Sequence, residues 1–396
     1  MKKVNRATAA LLSLLIAGTF SGCSLESFLS NTSQNGQSNS EWRDSSFNSM
    51  EGEQGGINDD SSSESNFDSS EENKDEIQPE KPKEEAAEGS VAWYLENGYK
   101  ALFNDPYMKN GISVFSVDGS QQKAFQFATS VGNPSWQVAQ WHSRYDLHDY
   151  ESLKHIKQGT AFELSSYGAK GADGKYLSAK TINVDTSGPS LYLELNAELE
   201  FDKPKEDGEG WPHILISQDF SENLVRVCER EELTTRMEYT ITHCDDRMNG
   251  QANPSKHCAQ LVWYVTLQNR NPDSEGYGQY IWFGFNLWDN RHSGGVCPEY
   301  AAQDLGKEDA TLAFIYQPSS RVFFKEKRMP FVGEKVTMDF DFLSTAKSAF
   351  LLAKERGYLP QTVWEDVYIG SMNFGWEVTG IYNVGVQIDT VGIYYK

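Results

Sequence analysis

Basic side chains are scarce in this chain: 35 Lys and Arg face 57 Asp and Glu over 396 residues, a formal charge of −22. Nucleic-acid binding through a basic surface needs clustered Lys and Arg, so that class is excluded. Anionic polymers would be repelled as well, unless a local patch or a divalent cation intervened. Long apolar runs are missing too; none reaches the ~20 residues that cross a bilayer as a helix. Cysteine is sparse, with Cys23, Cys228, Cys244, Cys258 and Cys297 in the whole sequence, and no two of them form the tight pairs of a zinc finger. There is no Gly-x-Ser-x-Gly elbow, no phosphate-cradling glycine loop and no repeat of fixed period. These absences remove the common nucleophile and nucleotide motifs from consideration.

What is present begins with Lys2, Lys3 and Arg6, an apolar core from Leu11 to Ile16, and Phe20-Ser21-Gly22-Cys23. That is the layout of an export signal, and it resembles the lipobox of bacterial lipoproteins. The resemblance implies cleavage after residue 22 and a lipid on Cys23. An ordinary cleaved secretion signal is the alternative. The expected location is the outer face of the bacterial cell membrane, reached by export. Removing residues 1–22 would take the charge from −22 to −25.

Residues 23–90 form the next unit. From residue 24 on they hold 17 acidic and 4 basic side chains among Ser, Asn, Gly and Gln. Such a mixture cannot bury enough apolar surface to offset chain entropy and is expected to be disordered. As a flexible coil it would span roughly 45 Å, a leash between membrane and folded part.

Composition shifts at Val91, and residues 91–396 are rich in Trp, Tyr and Phe. Leu191, Leu193, Leu195, Ala197 and Leu199 alternate with polar residues, as do Val336, Met338, Phe340 and Phe342. Met237-Tyr239-Ile241, Ala259 to Leu267 and Val384-Val386-Ile388 repeat the pattern. Period-two alternation predicts sheets with one buried face. Many such strands with little helix between them predict an all-β, two-sheet antiparallel sandwich in one domain. A helix is expected near Ser344–Arg356, stopped by Gly357, and a short one between Trp93 and Met108.

The strand from Tyr280 to Trp288 carries the strongest hint of function. Ile281, Phe283, Phe285 and Leu287 form a core stripe. Tyr280, Trp282, Gly284, Asn286 and Trp288 form the other face, followed by Asp289 and Arg291. Flat rings beside amides, a carboxylate and a guanidinium suit a sugar, whose CH faces stack on rings and whose hydroxyls need paired hydrogen bonds. Gly284 would leave a gap between the two indoles. A second core layer is the competing reading. Trp136, Gln137, Gln140 and Trp141, and the segment with Trp211, His213 and Ser217, are candidates for the same face.

Carboxylates for glycoside hydrolysis would need a fixed separation. Glu194, Glu198 and Glu200 read as a solvated outer face, while Glu377 and Asp289 lie beside aromatics. The Glu-x-Asp-x-x-Glu strand of laminarinase-type glucanases is absent. Four thiols permit three disulfide pairings. Cys244 and Cys258 could staple a hairpin, since export favours oxidation; buried free thiols, or a zinc set with His243 and His257, are the alternatives. Asp245, Asp246 and Asn249 could contribute to a calcium site, or form a solvated turn.

Across Val91–Lys396 the layout looks like the concanavalin-A-like jelly rolls of exported bacterial carbohydrate-binding and carbohydrate-degrading proteins. Trp211 to Asp219, Tyr280 to Trp288, the late helix and Gly375-Trp376-Glu377 to Tyr394 carry the likeness. It implies a concave sheet face that takes a glycan, often with a structural calcium near a rim and no required cofactor. The reading is therefore a membrane-anchored protein binding a polysaccharide through Trp211, His213, Trp282, Asn286, Trp288, Asp289 and Arg291. A glycosidase or lyase on the same scaffold, or a structural adhesive protein, are the alternatives.

Overall fold

The computed structural model describes residues 85–396 except 128, 149–153, 158, 171–172, 189 and 306–309. The expectations for the export signal, for Cys23 and for the acidic leash up to residue 84 lie outside the described residues.

In chain order the first strands are β1 (Lys100–Ala101), β2 (Ile112–Phe115), β3 (Gln122–Phe125), β4 (Trp136–Ala139), β5 (Lys154–Lys157) and β6 (Ala161–Lys170). Next come β7 (Tyr176–Asp185), β8 (Ser190–Asn196), β9 (His213–Asp219), β10 (Val225–Arg226), β11 (Leu233–Asp246) and β12 (Ala259–Asn269). The last are β13 (Tyr280–Asp289), β14 (Tyr300–Gln303), β15 (Phe314–Gln317), β16 (Lys335–Asp341), β17 (Val367–Val378) and β18 (Tyr382–Tyr395). Helices are α1 (Val91–Glu96), α2 (Ala197–Glu200), α3 (Ser320–Phe323) and α4 (Leu343–Glu355).

The strands form a two-sheet jelly-roll sandwich. One sheet runs β16-β11-β18-β8-β7-β6-β5, with β1 added to β18. The other runs β14-β15-β13-β12-β17-β9-β4-β2-β3, with β10 added to β17. Pairing is antiparallel except for β13 with β15 and β2 with β4.

Alternation in the sequence becomes the inter-sheet core. Leu191, Leu193 and Leu195, Met237, Tyr239 and Ile241, and Val384, Val386 and Ile388 pack in one apolar cluster with Leu261, Trp263, Val265, Phe283, Phe285, Phe374 and Trp376. Two polar tips cross the layers and find acceptors. Tyr239 Oη donates to the Leu287 carbonyl at 2.7 Å, and Trp376 Nε1 donates to the Leu193 carbonyl at 3.2 Å. Buried donors of this kind are costly unless paired.

Helix α4 covers part of the core with Ala346, Ala349, Phe350 and Ala353. Its end is set by Gly357 at φ +86, a left-handed conformation that favours glycine. There the Tyr358 N–H returns to the Ala353 carbonyl at 2.9 Å. The alternation through Ala197 and Leu199 does not continue as strand. The chain turns into α2 after Asn196, whose Nδ2 donates to the Ser178 carbonyl at 2.6 Å. That turn sends Glu200 inward.

Candidate functional site

The face of the larger sheet turned away from the core is assembled from alternate residues of β12, β17, β9 and β4, with β13 beside β12. On β12 these are Gln260, Val262, Tyr264, Thr266 and Gln268; on β17 they are Ser371, Asn373, Gly375 and Glu377. β9 adds His213, Leu215 and Ser217, and β4 adds Gln137 and Ala139. The register puts them in rows. Gln260 lies opposite Asp289 and Glu377, and Glu377 lies opposite His213. One step along, Val262 lies between Asn286 and Gly375, and Gly375 faces Leu215, which faces Ala139. The next row is Tyr264, Asn373, Ser217 and Gln137.

This face is concave. Phe115 on β2 joins Val262, Tyr264, Trp282 and Ile315 in one buried cluster. In the sheet, β17, β9 and β4 stand between β2 and β12, a flat separation of about 19 Å at ~4.8 Å per strand. Only a strongly curled sheet brings them into contact. The small residues Gly375 and Ala139 lie in the row that curls beneath Phe115. A Cβ on Gly375 would meet the Ile214 carbonyl oxygen at 2.0 Å, and its φ is +149.

The sequence-predicted residues separate. Pairing between β12 and β13 slips by one residue between Leu261 and Val262, and the extra residue is Leu287. A bulge of this kind reverses the alternation beyond it. Trp288 is therefore a core residue, 1% exposed, edge-on to Trp376 with centroids 6.0 Å apart, its Nε1 donating to the Pro330 carbonyl. This corrects the expectation that Trp288 shares an open face with Trp282. Trp282 does point to the concave side, yet its ring is also 1% exposed, held by Tyr264, Tyr280 and the Thr311 hydroxyl. The expected gap at Gly284 is filled by the Tyr264 ring, which a Cβ there would meet at 2.2 Å.

Asn286 is 2% exposed on the concave side, and neither its Nδ2 nor its Oδ1 has a hydrogen-bond partner. Asn373 Oδ1 and Gln137 Oε1 share that condition in the neighbouring row. Asp289 is wholly buried and fully engaged. Arg291 Nη2 donates to its Oδ2 at 2.6 Å, Arg291 Nε to its Oδ1 at 2.9 Å, and Gln260 Nε2 to Oδ2 at 2.7 Å. Burial works against the Arg291 charge, but these bonds raise its pKa above the ordinary value. Asp289 and Arg291 thus form a neutralised pair.

His213 sits in an aromatic frame. Trp211 stacks on it at 5.6 Å, Trp141 meets it edge-on at 6.0 Å, and His142 lies 6.2 Å away. Half-buried Trp141 packs on Ala139 and Leu215 at this rim. Asn373 and Gln260 were not singled out in the sequence. No local pattern marks them, because their role follows from cross-strand register.

Among the described residues Cys228, Cys244, Cys258 and Cys297 are free thiols, with no disulfide between Cys244 and Cys258. Burial pushes Cys258 and Cys297 up to about 12. His257 accepts the Asn253 N–H through Nδ1 and therefore donates from Nε2 to the Lys205 carbonyl at 2.8 Å, a structural role. Among the described residues no group of three His, Cys, Asp or Glu is placed to hold a metal. Asp246 Oδ1 caps the turn at the Met248 N–H, Asp245 pairs with Arg247, and Asn249 bonds the Arg247 carbonyl. Glu200, expected on a solvated face, is buried beside Lys180.

No family model matches this chain, and no curated protein matches it in sequence. Solved structures do resemble it. A family 12 xyloglucanase from Bacillus licheniformis is 12% identical, with a TM-score of 0.35, covering 63% of this chain and 98% of its own. The endoglucanase Cel12A from Rhodothermus marinus is 12% identical, with a TM-score of 0.34 and coverages of 62% and 96%. The xyloglucanase domain of NopAA, an effector from Sinorhizobium fredii solved with cellobiose, is 10% identical, with a TM-score of 0.31 and coverages of 65% and 98%.

Proposed function

We infer that this chain is a surface-anchored glycan-binding protein whose concave sheet face receives the sugar. The observation that carries the reading is the set of amides in that face. Asn286, Asn373 and Gln137 keep polar atoms away from water with no partner among the described residues. Each such atom costs about 1–3 kcal/mol. A polyhydroxylated ligand that displaced the side chains over them would supply both donors and acceptors at once. Half-buried Trp141, with Trp211 and His213 behind it, offers a ring face at the rim. The Asp289–Arg291 pair and Gln260 brace the far end. A lipid on Cys23 and the leash behind it would hold this domain at the outer face of the membrane, as the pattern of residues 1–23 supports; the leash ends before residue 90, since Ser90 Oγ caps α1 at the Trp93 N–H. Calcium, if it binds, would belong to a rim rather than to the sugar contacts.

A hydrolase is the second reading, favoured by one observation. Glu377 and Asp289 flank Gln260 on one face, so their Cα atoms lie two strand spacings apart, about 10 Å. Inverting glycosidases hold their carboxyls ~6.5–9.5 Å apart. Asp289, however, is bound to Arg291 and Gln260, which occupies the oxygens a second acid would need.

The test is retention of the full chain on a panel of insoluble polysaccharides, with reducing ends assayed in parallel. Wild type should be retained without releasing sugar. The pair Asn373→Ala and Gln137→Ala should lose retention while its melting temperature stays near that of wild type. Retention unchanged in that pair refutes the concave face as the site. Reducing ends that disappear in Glu377→Gln would establish the hydrolase instead.

A further inference from the structure

The opposite sheet carries a cavity that the concave face does not explain. It has a volume of about 380 Å3 and is lined by Ala161, Asn183, Val184, Asp185, Ser190, Tyr192 and Gln387. Volumes of this order hold small ligands. It opens on the outer side, because Leu191, Leu193 and Val386 of the same strands point into the core.

Three of its walls come from one cross-strand row. Gln387 on β18 lies opposite Tyr192 on β8, which lies opposite Asn183 on β7. Their chemistry is complementary to one sugar ring. The half-buried Tyr192 ring forms one wall, and burial, with Glu194 beside it, raises the pKa of its hydroxyl. Gln387 Nε2 is held by Ser190 Oγ at 2.9 Å and by the Ile388 carbonyl at 3.2 Å, so the amide is oriented before any ligand arrives. Asn183 Oδ1 is shielded from solvent and has no hydrogen-bond partner. A ring, an oriented amide, a hydroxyl and a second amide around one cavity are what a CH-faced, OH-edged guest uses. The lining holds a carboxylate, Asp185, and no Lys or Arg, which disfavours acidic sugars.

The geometry points to a second glycan site on the outer side of the β16-β11-β18-β8-β7-β6-β5 sheet, formed by Asn183, Ser190, Tyr192 and Gln387, that takes one neutral hexose-sized unit. It stands apart from the concave face, since the two lie on opposite sheets of the sandwich. A glycan held at both sites would gain avidity without new contacts at either.

A diazirine-bearing methyl hexoside, photolysed with the full chain and mapped by peptide mass spectrometry, tests this directly. Saturable label is expected on the strands containing Asn183 and Tyr192. It should be lost in Tyr192→Ala, survive in Tyr192→Phe, and require about fivefold more probe in Asn183→Ala, the loss of one hydrogen bond. The Asn373→Ala and Gln137→Ala pair should leave this label intact. Label that is absent here, that fails to saturate, or that persists in Tyr192→Ala in a folded protein overturns the second site. Label missing from the concave strands alone counts against the concave site and leaves this one standing.

Discussion

Replacing Lys180 by Met, alone and together with Glu200→Gln, tests how the rim of the concave face is held. Lys180 is a β7 residue whose side chain is 0% exposed and lies 4.0 Å from Glu200. It donates to Gln140 Oε1 at 2.7 Å and to Ser143 Oγ. Glu200 in turn accepts the Ser143 hydroxyl and the Arg144 N–H, each at 2.6 Å. Gln140 also donates to the Phe115 carbonyl at 2.8 Å. The loop that carries Trp141 and His142 is thus tied down at Gln140 and Ser143 on either side of those rings. Burial drives the Lys180 pKa from 10.5 to about 8, against the pull of Glu200 and Asp146. At ~1.36 kcal/mol per unit, the charged form in the fold is disfavoured by about 3 kcal/mol. The folded value is the depressed one. Between about pH 8 and 10.5 the unfolded chain keeps a proton that the folded chain has released. Stability from this group therefore rises with pH across that window and is flat below it. Urea unfolding from neutral to alkaline pH should show wild type gaining about 3 kcal/mol relative to Lys180→Met. At neutral pH the single variant strands a buried carboxylate and should lose about 3–5 kcal/mol, most of it recovered by adding Glu200→Gln. Parallel curves for wild type and Lys180→Met across the alkaline window refute the buried-charge account.

Trp288→Ala should cost about 3–5 kcal/mol, seen as a lowered melting temperature, because the ring fills the inter-sheet core; a melting temperature close to wild type contradicts its placement. Arg291→Met should destabilise by a similar ~3–5 kcal/mol by leaving Asp289 buried and unpaired. Asp289→Asn in the same chain should restore most of that loss in thermal unfolding. Iodoacetamide applied to the native protein should spare Cys258 and Cys297, which are buried and protonated, and modify both once the chain is unfolded without reductant. Failure to label them after unfolding would reveal a disulfide.

Much of the sandwich was legible because a half-buried strand writes its two faces into alternate residues. Leu191 to Leu195, Ala259 to Leu267 and Val384 to Ile388 all lie in strands, and the helix expected near Ser344–Arg356 is found at Leu343–Glu355. What alternation cannot mark is a place where the count slips. Nothing in Phe285-Asn286-Leu287-Trp288 distinguishes a bulged residue from an ordinary one, so the face of Trp288 was inverted. The run through Ala197 and Leu199 misled for the opposite reason: an apolar pattern continued while the backbone turned to bring Glu200 under Lys180. In the row of Tyr264, Asn373, Ser217 and Gln137, the sequence pointed to Gln137 and Ser217 but not to Tyr264 or Asn373, because its members come from four distant segments. Only the register of β12, β17, β9 and β4 makes them neighbours.

That register has a kinetic consequence. β17 joins β12 to β9 and β18 joins β11 to β8, so residues 367–395 are the seam of both layers at once. Until this stretch has emerged from the ribosome, each layer exists as two halves with open inner edges, and neither can close. Pairings so remote along the chain form slowly. Both seams lie within residues 367–395, so the two sheets are completed together, after every other strand of the described residues has been made.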